Sequence, residues 1–406
     1  MRVVGSLWRS VRSLPSWLQI VLLGQFVNAA GALAWIYLTL YLVDARHLTS
    51  ANAGLLSAIN GVGLIAGNLF GGGVGDRIGM RRALLAGLLG WAACCAAVPI
   101  TPVVALGPLL LVAGTLGGVT RPLMSAVVLS ALPVDQRRTG AALWRVAFNA
   151  GAIIGPPLGA LAAGSHFGVI FAVDAASSLI LAAVIWRFAP LDSARPSRSS
   201  RAGALPLRRT LRGKRFTVAV LVTVVVVDTS YRQLYVGLPL ELHRLQAPTL
   251  VYGLTVTLNC VLIVLAEVWV ALRMARRPPA AVIAAGYALV GTSWLLFGAH
   301  PSVPTAIAMV VVISVGEMLY KPTATAAVAD AAPPGYEGRY QSLYAGASIS
   351  GTVLAPAIGG AAFGHHPGLL WLGAAVAPLL AAAALVTVRT ARPDAESDYG
   401  VVSAPS

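Results

Sequence analysis

Apolar residues come in blocks of about 20 along this chain, each long enough to cross a hydrocarbon layer of about 30 Å as an α-helix. Polar residues gather in the gaps between blocks. In the first part of the chain the blocks are 18–42, 53–74, 83–100, 106–131, 141–163 and 168–188. In the second part they are 216–240, 250–272, 280–298, 303–328, 340–363 and 369–388. The pattern predicts an all-α integral membrane protein with twelve transmembrane helices.

The two sets of blocks are copies of one another. The stretch from Arg121 to Gly164 is answered, without a gap, by Lys321 to Gly364. Identical pairs include Pro122/Pro322, Pro133/Pro333, Leu143/Leu343, Gly151/Gly351, Pro156/Pro356, Gly159/Gly359 and Gly164/Gly364. Most of these residue types set the backbone path or let helices approach closely. Gly54, Leu55 and Asn60 recur as Gly253, Leu254 and Asn259, and Asn28 falls opposite Asp228. The expected organisation is two pseudo-symmetric six-helix halves, 1–189 and 216–389, joined by a basic linker over 190–215 and followed by a disordered tail over 390–406.

Composition agrees with lipid as the solvent. With 57% hydrophobic and 11% charged residues and a mean hydropathy of +0.79, the chain carries more apolar side chain than a soluble core could hide. A net charge of +15 would suggest a nucleic-acid partner in a soluble protein, but here its placement matters more than its sum. Arg2, Arg9, Arg12, Arg77, Arg81, Arg82, Arg137, Arg138, Arg273, Arg276, Arg277, Arg339, Arg389, Arg392 and the linker arginines all fall on one side, against Arg46 and Arg244 on the other. That bias places both termini in the cytoplasm of a multi-pass cell-membrane protein, with lipid rather than nucleic acid as the bulk partner. The histidines, His47, His166, His243, His300, His365 and His366, fall in or beside the outer loops. The first apolar block runs on past Trp35 and Tyr37 and so reads as a retained helix rather than a cleaved leader. Cys94, Cys95 and Cys260 lie inside blocks and imply no disulfide framework.

Between the second and third blocks stands GGGVGDRIGMRR, from Gly71 to Arg82. The pattern Gly72, Asp76, Arg77, Gly79, Arg81, Arg82 resembles the signature loop of the major facilitator superfamily, whose twelve helices form two halves around a central cavity. The resemblance covers nearly the whole chain. Within it, Gly151, Gly155, Pro156 and Gly159 resemble the Gly-Pro element of the family's antiporters; read without the family, they describe a tightly packed, bent helix. The arginine those antiporters often carry in helix four is matched only by Arg121, directly before Pro122. The resemblance implies gating roles for these loop and helix-five residues. It also implies that Asp76 holds an inner gate against the start of helix eleven near Arg339 and Tyr340.

Charges inside the blocks are the candidate chemistry, because each costs about 2.5–3.5 kcal/mol to insert. Glu317 and Lys321 are four apart, as are Asp228 and Arg232, so each pair can neutralise itself along one helical face. Asp228, Tyr231 and Tyr235 share a face, as do Gln25, Asn28 and Trp35, and such polar–aromatic stripes suit a water-filled cavity. Arg145 and Asn149 offer a third polar face. Glu317, Asp228 and then Glu267 are the expected proton-coupling acids, although Arg273 can cap Glu267. Asp174 is expected to snorkel outward.

No Gly-x4-Gly-Lys-Ser/Thr phosphate loop, His-Glu-x-x-His or Gly-x-Ser-x-Gly occurs, so the sequence does not read as an enzyme or an ATP-driven pump. The expectation is a monomeric secondary transporter that needs no cofactor beyond a proton gradient. The resemblance to drug:proton antiporters implies efflux of small lipophilic or cationic compounds by alternating access, in which substrate and proton compete for one carboxylate. Symport of a nutrient, or export of one specific metabolite, stands as the alternative.

Overall fold

The computed structural model describes residues 14–130, 137–189, 211, 213–274, 276–333 and 337–390. Most of the linker and the tail beyond Thr390 therefore lie outside the described residues, as do the side chains of Gly72, Asp76 and Arg121. Twelve helices are long and apolar enough to cross a membrane, and the described residues contain no strand.

Each half packs through glycine. In the first half, a Cβ added at Gly63 or Gly67 of the second span (Ser50–Ile78) would stand 2.2 and 2.0 Å from backbone oxygens of Leu111 and Thr115 in the fourth (Val103–Ser130). Only glycine permits backbones that close. The second half brings the ninth span (Pro279–Ala299) against the tenth (Val303–Asp330) at Gly286 and Gly316. It adds an aromatic stack of Trp294 on Trp371, with centroids 5.2 Å apart. Gly79 ends the second span at φ +90°, the left-handed turn that its short loop to the third span (Met80–Ala97) requires.

The duplication is visible in the backbone. His47 and Gln246, non-glycine residues with φ of 54° and 56°, occupy matching positions after the first and seventh spans. Those two spans also break at matching places, where the sequence suggested continuous helices. The first is Ser16–Gly31 and then Ala34–Asp44. The seventh is Arg215–Tyr231, a 3-10 turn at Arg232–Tyr235, and then Gly237–Arg244.

The halves meet through two crossings. In one, Gly54 approaches the Pro356 carbonyl and Gly360 of the eleventh span (Glu337–His365). In the other, Gly253 of the eighth span (Thr249–Met274) approaches the Pro156 carbonyl of the fifth (Arg137–Ser165). Tyr252 donates to the Ile36 carbonyl at 3.2 Å and Thr257 to the Ile153 carbonyl at 2.9 Å. At the loop end His243 faces Asp44 at 3.0 Å, 199 residues away in sequence and at the equivalent position of the other copy. These contacts close the molecule at the end away from the linker.

A cavity between the halves

Behind that closure lies a cavity of about 560 Å³ whose walls come from both halves. The fifth span contributes Trp144, Phe148, Ala152 and Pro156, a stripe at four-residue spacing. The first span contributes Gln25, Asn28 and Trp35, and the seventh Tyr231, Arg232 and Tyr235. Trp35 and Tyr235 meet across the halves with centroids 4.9 Å apart. Asn28 donates to Ser178 at 3.1 Å. Pro156 places its carbonyl where Tyr37 donates to it at 2.5 Å, fixing the fifth span to the first.

The charged wall is in the second half. Lys321 donates to Glu317 at 2.6 Å along the tenth span and sits 4.0 Å above the Tyr231 ring. Asn259 donates to Glu317 at 3.3 Å and to Ser314 at 2.9 Å, while its own oxygen accepts from Tyr231 at 3.3 Å. A carboxylate with one cation and one amide donor is thereby placed on the cavity surface, where its partners can change.

Asp228 is arranged differently from the sequence expectation. It is 1% exposed and does not line the cavity; its oxygens accept from Tyr320 and Ser348. It makes no ion pair with Arg232 among the described residues: Arg232 keeps the helical bond from its backbone N–H to the Asp228 carbonyl, but the carboxylate oxygens are taken by the two hydroxyls.

Asp174, expected to snorkel outward, is instead 1% exposed and part of the cavity wall. It accepts from Trp91 Nε1 at 2.8 Å and from the Ala34 backbone N–H at 2.9 Å. The second contact caps the helix that restarts after the break in the first span, where unpaired N–H groups favour a negative charge.

Other expected residues are distributed as follows. Arg145 and Asn149 do not line the cavity, since each follows a member of the Trp144/Phe148 stripe and so points about 100° away. Glu267 does not line it either, and Arg273, expected as its cap, lies 4.5 Å over the Trp269 ring. Gly151 and Gly155 abut Phe26 and Ala30 of the first span, and Gly159 abuts Tyr37. Arg77 and Arg82 are exposed, Arg81 donates to the Trp186 carbonyl, and Arg339 stands exposed near the start of the eleventh span. The Asp76 side chain lies outside the described residues. Sequence reasoning passed over Trp91 and Asn259. Asn259 carried a signal, as the repeat partner of Asn60, whereas Trp91 carried none.

The family model described as Major Facilitator Superfamily matches residues 21–297 and 244–404. The chain is 26% identical over 360 residues to the uncharacterized MFS-type transporter YttB of Bacillus subtilis (strain 168), covering 87% of this chain and 90% of that one. It is also 26% identical over 372 residues to the MFS-type transporter YqjV of the same organism, covering 87% of each. Among solved structures, a POT family transporter in complex with a thioalcohol-conjugated peptide superposes with a TM-score of 0.76 at 15% identity, covering 94% of this chain and 99% of that one. The nucleoside transporter NupG superposes with a TM-score of 0.77 at 13% identity, covering 92% and 99%. At these identities the structural likenesses speak for the fold.

Proposed function

The chain belongs to the major facilitator superfamily, and from that premise we propose that it exports small lipophilic compounds in exchange for protons, by alternating access around the cavity between its halves. The observation that carries this reading is the Glu317–Lys321 pair at 2.6 Å on the cavity wall, with Asn259 as a second donor. A proton and Lys321 compete for the same carboxylate, and moving the tenth span against the seventh and eighth parts Glu317 from Asn259 and Lys321 from the Tyr231 ring, which shifts that competition. Each proton moved down a potential of 100 mV supplies about 2.3 kcal/mol, enough for roughly a fiftyfold substrate gradient. No cofactor is required.

In this reading the protein sits in the cell membrane with both termini facing the cytoplasm, so the end closed by contacts between the halves faces outward and the molecule stands at the inward-facing stage of the cycle. The Gly-Pro element at Gly155 and Pro156 supports exchange rather than symport through its resemblance to that of antiporters. The monomer carries the complete cavity. The test is Glu317→Gln in proteoliposomes with an imposed pH gradient. The variant is expected to exchange substrate for substrate but to lose uphill transport. Retained uphill transport with wild-type pH dependence would remove Glu317 from the coupling role.

A further inference from the structure

The cavity holds one cation whose donors are not used. Arg232 opens the 3-10 turn of the seventh span and lines the cavity. Its Nε is buried with no hydrogen-bond partner, and among the described residues no hydrogen bond or ion pair reaches its guanidinium. The acids nearby are already engaged. Glu317 is paired with Lys321, Asp228 accepts from two hydroxyls, and Asp174 accepts from Trp91 and Ala34. The arginine stem is seated by a glycine, since a Cβ at Gly351 would stand 3.0 Å from Arg232 Cδ. A guanidinium that lines a cavity with no partner has donors to offer an acceptor entering that cavity. The Trp35 and Tyr235 rings, one from each half, also line the cavity, with centroids 4.9 Å apart and planes tilted by 52°.

We propose that Arg232 binds an oxyanion group, such as a carboxylate, of a substrate whose flat apolar body lies against Trp35 and Tyr235. A guanidinium fork suits a planar carboxylate. The proposal rests on the transporter reading above and narrows its substrates to amphiphilic anions. It differs from the sequence-based expectation of small lipophilic or cationic compounds, because the carboxylate on the cavity wall nearest a cation is already paired with Lys321.

The test uses purified full-length protein and three probes with one ring system and different ends: naphthylacetate, naphthylacetamide and naphthylethylamine. By titration calorimetry the wild type is expected to bind naphthylacetate about tenfold or more tightly than naphthylacetamide, and naphthylethylamine weakest. Arg232→Gln is expected to erase the preference while keeping the amide affinity, and Arg232→Lys to keep part of it. Equal or absent binding of the three probes to the wild type overturns the proposal, as does an acetate preference that survives in Arg232→Gln. Should Arg232→Gln not fold, Gly351→Ala, whose Cβ would crowd both Arg232 Cδ and the Asp228 carbonyl at 3.0 Å, is expected to shift the arginine and weaken the preference; an unchanged preference there counts against the role. Flux of the same probes into proteoliposomes separates the two readings. Preference without flux sinks the transporter reading and leaves Arg232 in place, whereas flux without preference sinks Arg232 alone.

Discussion

Asp174 and Asp228 are buried carboxyl groups inside a membrane protein whose partners, among the described residues, are neutral donors rather than cations. Asp174 is fixed by Trp91 Nε1 and the Ala34 N–H, Asp228 by the hydroxyls of Tyr320 and Ser348. Removing either carboxylate strands its donors in the interior, at about 1–3 kcal/mol per donor. Asp174→Ala should therefore lower the melting temperature measured in detergent, and Asp174→Asn, which keeps an acceptor, should lower it less. An Asp174→Ala protein that melts with the wild type would show that the Trp91 and Ala34 contacts add nothing to stability. The sequence marks both acids as costly but is silent on their partners. Trp91 lies 83 residues from Asp174, and Tyr320 lies 92 residues from Asp228. The Glu317–Lys321 pair was legible because its geometry is local to one helix, where the four-residue spacing alone brings the two side chains together.

At the scale of elements, helix boundaries and the twofold repeat were legible because apolar run length and matched glycines and prolines are properties of the sequence itself. The breaks in the first and seventh spans were not, since Ala32 and Leu33 are as apolar as their flanks, and Arg232 to Val236 reads as a continuation of the helix. Beside the second break the Asp228 carboxylate is held by Tyr320 and Ser348, while Arg232 lines the cavity. Glycine contacts within a half and between halves carry different duties. Gly67 sits where a Cβ would meet a backbone oxygen at 2.0 Å inside the first half, whereas Gly54 does so at 2.2 Å across the halves. Gly67→Leu is expected to abolish folding. Gly54→Leu should fold but hold the loop end apart, read as longer spin-label distances between the second and eleventh spans. A Gly54→Leu protein with wild-type distances would mean that this crossing does not set the closed state.

For the whole molecule, Asp44 and His243 face each other at equivalent positions of the two copies, and the cavity lies behind them with walls from both halves. A structure closed at one end by contacts between halves, and built from two rigid glycine-packed units, is suited to rocking rather than to internal rearrangement. The sequence-level reading of two similar halves around a central cavity anticipates this, but the composition of the cavity wall depends on helix rotation, which turns Trp144 and Phe148 of the fifth span to the cavity in place of the expected Arg145 and Asn149. The central claim is exchange of substrate for protons, and simultaneous recording of both fluxes in one preparation of proteoliposomes tests it most directly. With a pH-sensitive dye inside the vesicles and naphthylacetate added outside, substrate entry should be matched by proton exit, and Glu317→Gln should uncouple the two. Proton entry alongside the substrate, or substrate flux with no proton movement, would contradict the account.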